Sequence, residues 1–445
     1  MNLKSAATLF LLLSTAVNFA QIGKRFPSEK KIIKDPVTGY ELIFLTTTAA
    51  GDSKTYPTHP QWTSDGKWLI FRTKRANGDA VAVNEKSGEM VQVTEGGYSG
   101  TLCMAQKSMK LYFMRKAENK MQIMEVNLEA VFNDSQSGKM RPLSTYERVC
   151  GVTSPEMGAS GDMALDADED KVYFRIGKEE AAKYLNPDIK IEKSFGPRNM
   201  GAGPGGISSM NLKTGEFKHV ISVPFQVGHI QSNIWNPGEL VFCWETGGKS
   251  PQRTWTVMAD GTGLRPLYPE SDFEWVTHEA VISKDEVAMA IMGHRKIDVQ
   301  KEIPVEVING GKVRNPENPG QESNWGNSGT REKPTGLAIV NLRTREMIIA
   351  GQTKQGSGLW HVHGSSDGRW AVGDDFSRSL YLIDRKSNEM IMLTTGHKTT
   401  AEDHVHPTFN REGTKIQIQS AMISKDNRTM NICIVNVPKD WLQRK

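Results

Sequence analysis

A strand–turn–strand unit recurs seven times along this chain, and no other feature narrows its fold as far. The first copy is "QWTSDGKWLIF" from Gln61, with a tight Asp-Gly turn. The others are "CMAQKSMKLYFMR" from Cys103, "ALDADEDKVYFR" from Ala164, "IWNPGELVFCWE" from Ile234, "VISKDEVAMAIM" from Val281, "GSSDGRWAVGDD" from Gly364 and "TFNREGTKIQIQ" from Thr408. Most are followed by a second hairpin pattern, such as "AVAVNEKSGEMVQVT" from Ala80 or "LYLIDRKSNEMIMLT" from Leu380. The turns are rich in Gly, Asp and Asn, and the strands alternate β-branched and aromatic residues with polar ones. Four antiparallel strands per unit, repeated along the whole chain, define a β-propeller of seven blades. The seventh unit runs out after "NICIVNV" (Asn431 to Val437), one strand short. A spare strand, "GYELIFLTT" (Gly39 to Thr47), lies at the other end, so it is expected to complete the last blade and close the ring.

Residues 21–445 therefore read as a single seven-bladed propeller domain. Two Gly-, Pro- and Asn-rich intervals, 186–206 and 302–334, read as loop insertions. Before it, "MNLKSAATLFLLLSTAVNFA" has one lysine and an apolar run too short to span a bilayer, which fits a secretory leader over residues 1–20. Periplasmic or secreted localisation follows as an expectation, without membrane insertion, since no later stretch is apolar enough. With 55 Lys and Arg against 51 Asp and Glu, the chain lacks the dominant basic face that non-specific nucleic-acid binding needs. The four cysteines have no metal-like spacing, although one disulfide is open.

Seven of the ten histidines fall just before a first strand of a blade: His59, His229, His278, His361, His363, His404 and His406. His59, His361 and His406 each stand seven residues before a turn glycine, Gly66, Gly368 and Gly413, and His278 has Asp285 at that offset. First strands line a propeller's channel, so these imidazoles should converge at the axis. Neutral imidazoles suit Mn, Fe, Ni or Zn; the alternative is a hydrogen-bonded polar plug. Arg253, in "SPQRTW", is a candidate for a carboxylate ligand. Tyr56 and Lys54 lie near His59 and could line the same mouth.

The motifs "VTHEAVISKDE" (His278), "VGHIQSNIWNP" (His229), "QRTW" (Arg253), "HVHGSSDGRWAVGDD" (His361) and "HVHP" (His404, His406) resemble those of oligogalacturonate lyases, polysaccharide lyase family 22. That resemblance implies a divalent metal, typically Mn2+, on His361, His404 and His406. It also implies His278 as general base, Arg253 on the substrate, and β-elimination of an acidic oligosaccharide or polysaccharide. The family's glutamine ligand is replaced here by Ala401, so Glu402 or the extra His363 would stand in. His229, Tyr56 and His59 are carried as further substrate-binding candidates. Two other readings stay open: a non-catalytic Tol-type propeller binding protein or glycan, and a metal-dependent hydrolase.

Overall fold

Each alternating repeat becomes an antiparallel sheet in the computed structural model, which describes residues 21–196, 198–246, 250–270, 274–292, 335–351 and 359–444. There are seven sheets, one per repeat. Their innermost strands are Asp52–Lys54, Ser99–Met104, Met163–Leu165, Val227–Ser232, Trp275–Ser283, Leu359–Gly364 and Thr408–Phe409. The apolar faces of adjacent sheets pack on each other. Val172 and Phe174 of blade three meet Met114 and Ile123 of blade two, and Trp370 and Val372 of blade six meet Ile416 and Val435 of blade seven. The four cysteines are all free.

The ring closes as expected. Glu41–Phe44 pairs with Asn431–Asn436, Leu42 opposite Val435 and Phe44 opposite Cys433. The N-terminal segment does more than the repeat count anticipates. Lys31–Lys34 adds a fifth strand outside Glu41–Phe44, and Arg25–Phe26 adds a fifth strand to blade one beside Met90–Gln92. One segment thus crosses the seam between the first and last blades. Phe44 is fully buried among Leu42, Trp370 and Val435. Phe44→Ala is expected to cost about 3–5 kcal/mol in urea unfolding; a loss under 1 kcal/mol would mean that the seam contributes little.

Two local readings need correction. Blade one's inner strand is Asp52–Lys54, whereas Gln61–Thr63 contributes only an isolated bridge from Trp62 to Leu69. Pro57 and Pro60 in "TYPTHP" remove the ladder donors and throw Tyr56–Pro60 out of the sheet. The 186–206 insertion is shorter than expected, because Ala202–Asn211 is already a strand of blade three. Its glycines permit close pairing: a Cβ on Gly203 would come 1.9 Å from Pro224 O. The 302–334 insertion and the leader lie outside the described residues.

The inner strands share one irregularity that positions the site. Their register shifts between Gly228 and Gln231, Thr277 and Ala280, and Leu359 and Val362. A bulge re-aims the side chain it carries. His229, His278 and His406 have φ of 49°, 54° and 50°, a strained region for a residue with a Cβ. Three blades thus hold a histidine in the same uncommon conformation.

Candidate metal centre and adjoining base

The inner-strand entries of blades six and seven bring His361 and His404 to Asp374, on the second strand of blade six (Trp370–Asp375), with one ligand atom of each within 4.8 Å of the others. His361 Nδ1 lies 3.2 Å from both Asp374 oxygens, and the His361 backbone N–H donates to Asp374 Oδ1 at 2.6 Å. This leaves His361 Nε2 as a lone pair, the arrangement usual for a metal-binding imidazole. Burial and the adjacent His406 push His361 down to about 4, so it is neutral. Burial alone would raise Asp374, but its imidazole partners hold it well below the usual carboxylate range. His404 Nδ1 is 3.4 Å from Asp374 Oδ2 without a hydrogen bond. His406 packs 3.8 Å from His361, ring to ring; its Nε2 is bonded to Asp403 Oδ1 at 2.9 Å, and its Nδ1 is buried without a partner. Arg378 donates to the carbonyls of Ala401 and Asp403 and so holds the loop that carries His404. Orphaned imidazole nitrogens beside an ionised buried carboxylate fit a divalent cation.

His278 adjoins this group, 4.0 Å from His361 between ring centroids. Its Nδ1 is hydrogen-bonded to Tyr56 Oη at 2.7 Å, and its Nε2 is buried and unpartnered. Burial, then the neighbouring His361, holds its pKa well below the ordinary value. Tyr56 reaches in from the Pro-flanked loop of blade one, its ring 4.9 Å from His229 and 5.2 Å from His406. Trp360 walls the other side of His278 at 4.8 Å.

Arg253 is buried and forms the third element with His229. Glu279 joins them: Oε2 accepts from Arg253 Nε at 2.8 Å, and Oε1 is 2.9 Å from His229 Nδ1. Burial would push Glu279 up, but the two cations hold it well below the usual range. Burial opposes charge on His229, yet Glu279 and Glu245 outweigh it and raise its pKa. His229, Cys243 and Glu245 also meet a metal-like spacing. Arg253 Nη2 lies 3.5 Å from His229 Nδ1 and 3.9 Å from Glu245, so positive charge is already present there.

The remaining sequence candidates fall elsewhere. His59 is buried with both nitrogens engaged, Nδ1 by the Thr58 hydroxyl at 2.8 Å and Nε2 on Met163 O at 2.8 Å. That is the bonding of a structural histidine. Glu402 is exposed and outside the His361 group; Asp374 supplies the carboxylate instead. His363 faces the far mouth of the channel, where Phe409 N–H donates to its Nδ1 at 3.4 Å. It lines a cavity of about 800 Å³ among the first-hairpin turns, with Gly66, Trp235 and Asn410; His278, His361 and His404 do not line it. Lys54 is buried between the two levels, its Nζ donating to Thr408 Oγ1 at 2.6 Å.

Glu270 supports the strand entry that carries Arg253. Its Oε1 accepts from the N–H groups of Arg253 (2.8 Å) and Thr254 (3.3 Å), while Oε2 is buried without a partner. Burial pushes this carboxyl up to about 8 from 4.5. A carboxyl raised on folding costs nothing below its unfolded pKa and destabilises increasingly as pH climbs to the folded value. Glu270→Gln cannot ionise. It is expected to match the native protein near pH 4 and to exceed it by roughly 3–5 kcal/mol above pH 8. Urea unfolding of both proteins at both pH values checks this; a difference that does not change with pH would mean that folding leaves the Glu270 carboxyl unshifted.

Fold and site together define a class: a seven-bladed propeller with a histidine–carboxylate cluster on its axis. Among solved structures, the chain is similar to an oligogalacturonate lyase in complex with manganese, with 16% identity and a TM-score of 0.69 over 95% of this chain and 100% of that one. It is similar to the oligogalacturonate lyase of Vibrio parahaemolyticus, with 17% identity and a TM-score of 0.67 over the same shares. The fold is the one those lyases have. No protein-family model and no curated protein matches the chain.

Proposed function

We propose that the chain is a metal-dependent lyase that cleaves uronic-acid-containing oligosaccharides, oligogalacturonate or a related uronide, by β-elimination. The observation that carries this reading is a donor set for a divalent ion directly beside an imidazole with an unshared nitrogen, His278. His361, His404 and Asp374 would hold the ion, with the free Nδ1 of His406 alongside. Manganese is the first choice, given the nitrogen and oxygen donors and the ion in the similar lyase. Bound there, it would draw charge from the uronate carboxylate and acidify the neighbouring C–H.

The chain's own residues account for the remaining steps. When Tyr56 Oη accepts from His278 Nδ1–H, His278 Nε2 carries the lone pair. That nitrogen takes the proton from the carbon next to the carboxylate. The C–H electrons form the C4–C5 double bond, the C4–O bond breaks, and the departing oxygen takes up a proton from solvent, to which the His278 imidazolium then returns its own. A neutral imidazole shielded by Trp360 is suited to this task. Arg253 and His229, fixed by Glu279, orient the sugar. With a leader at residues 1–20, the enzyme would work in the periplasm or outside the cell.

The test is incubation with de-esterified oligogalacturonates and Mn2+. Ultraviolet absorbance should rise as unsaturated uronide forms, and a chelator should stop it. New reducing ends without that absorbance would indicate hydrolysis, and no turnover of any uronide would sink the reading.

A further inference from the structure

The inner strand that carries His278 has one edge without a ladder partner. Trp275–Ser283 is the terminal strand of its sheet, paired with Glu286–Met292 on one side and facing the axis on the other. Its register steps from Thr277, opposite Ala290, to Ala280, opposite Ala288. His278 and Glu279 therefore share Met289 across the ladder, and the bulge aims their two side chains apart. Backbone groups on a buried free edge still need partners. Gln231 of blade four supplies two of them. Its Nε2 donates to Glu279 O at 3.2 Å, and its Oε1 accepts from Val281 N–H at 2.8 Å. The Gln231 side chain is fully buried. A primary amide holds a donor and an acceptor at one end, so it stands in for a rung of β-ladder between two sheets.

Gln231 is itself firmly placed. It is the residue at which blade four regains register after its own bulge, opposite Val241 and two residues after His229. Blade four grips Glu279 at both ends: His229 and Arg253 hold its carboxylate, and Gln231 holds its carbonyl. That carbonyl belongs to the residue next to His278, whose φ of 54° persists only where the surroundings over-determine it. Tyr56 and Trp360 fix the imidazole ring; Gln231 fixes the backbone beneath it. The same device recurs in blade seven. Gln419, also buried, accepts from Lys54 N–H at 3.1 Å through Oε1, while its Nε2 donates to His404 O at 2.9 Å and to Asp403 Oδ2 at 3.1 Å. It ties the loop of the candidate metal group to the strand that leads to Tyr56. A buried glutamine bridges two sheets beside the base, and another does so beside the metal loop.

We propose that Gln231 is a positioning residue for the base: its amide locks the bulge that points His278 Nε2 at the proton to be removed. This rests on the lyase reading. Gln231→Met keeps the volume and removes both hydrogen bonds. With oligogalacturonate and Mn2+, its kcat should fall by roughly 10- to 100-fold, the effect of displacing a reacting group by about 1 Å. KM and metal content should stay near native, because Arg253, His361, Asp374 and His404 keep their own contacts. Gln231→Glu separates positioning from packing. It keeps an acceptor for Val281 N–H, but its other oxygen can donate to Glu279 O only while it carries a proton. Its kcat relative to native should be highest at low pH and fall as the carboxyl ionises, whereas the ratio for Gln231→Met should not vary with pH. The charged groups of the flanking strands, His229, Glu279, Arg253 and Asp162, are present in both proteins, so the ratio isolates position 231. Gln231→Glu at low pH carries the test if Gln231→Met does not fold. Hydrogen exchange across Trp275–Ser283 reads the bridge without turnover, and should quicken about tenfold at Val281 in Gln231→Met. Native kcat in Gln231→Met, or a pH-independent ratio for Gln231→Glu, overturns the proposal. So does a joint loss of kcat, substrate affinity and metal content, which marks a merely structural role. If the native chain turns over no uronide, the lyase reading fails by itself. Quickened exchange then still assigns Gln231 to the His278 bulge, and unchanged exchange removes that assignment too.

Discussion

Replacing His278 with alanine is expected to lower uronide turnover by about 10²- to 10⁴-fold, the usual contribution of a positioned general base. Metal content and unfolding midpoint should stay close to native. The reasoning is geometric. His278 packs against His361 but stands outside the group of donor atoms, and its Nδ1 is committed to Tyr56. Tyr56→Phe should act through the same imidazole, since losing the hydroxyl frees the ring to take either tautomer. A fall in kcat of about tenfold with KM little changed is expected, smaller than for His278→Ala because the base itself survives. Turnover beside metal stoichiometry decides the matter. If His278→Ala strips the metal, His278 is a ligand, and His229 becomes the candidate base.

The histidines were legible in the sequence because each stands just before a blade's first hairpin, four of them seven residues before its turn, and a repeat converts such placement into position. Their carboxylate partners were not. Glu279 follows His278 directly, and simple alternation would send the two to opposite faces. The bulge between Thr277 and Ala280 breaks that alternation, so Glu279 reaches Arg253 and His229 while His278 faces Tyr56. Asp374, in "VGDD", sits on a fully buried second strand and reads as a core position with the wrong chemistry. Only contact across blades, with His361 in its own sheet and His404 in the next, explains it. Blade number and ring closure were visible for the same reason as the histidines. The helix Leu128–Ser137 was also legible: Asn127 caps it, and Leu128, Val131, Phe132 and Ser135 recur at helical spacing on its buried face. The clasp made by Arg25–Phe26 and Lys31–Lys34 left no such trace, because two- and four-residue strands carry too little periodicity to register.

Asp374→Asn is the second substitution with a large expected effect, and metal binding reads it without any need for turnover. Asparagine keeps an oxygen for the His361 backbone N–H but loses the charge that faces two imidazoles. Whether Asp374 binds the ion or orients His361 toward it, affinity for Mn2+ should fall by at least about 10- to 100-fold. A ligand in excess stabilises the native state by RT ln(1 + [L]/Kd), so the gain in stability from saturating native metal should shrink by about 1.4–2.7 kcal/mol. His404→Ala should remove more of that gain, because it deletes a donor outright. Glu402→Ala should change nothing, since Glu402 is exposed and apart from the group. Urea unfolding of the four proteins with and without Mn2+ measures all of this. An Asp374→Asn protein that gains as much stability from Mn2+ as the native chain would exclude Asp374 from the centre. Loss of the gain in Glu402→Ala would mean that the Ala401–His406 loop, held by Arg378, rearranges around the ion and brings Glu402 inward.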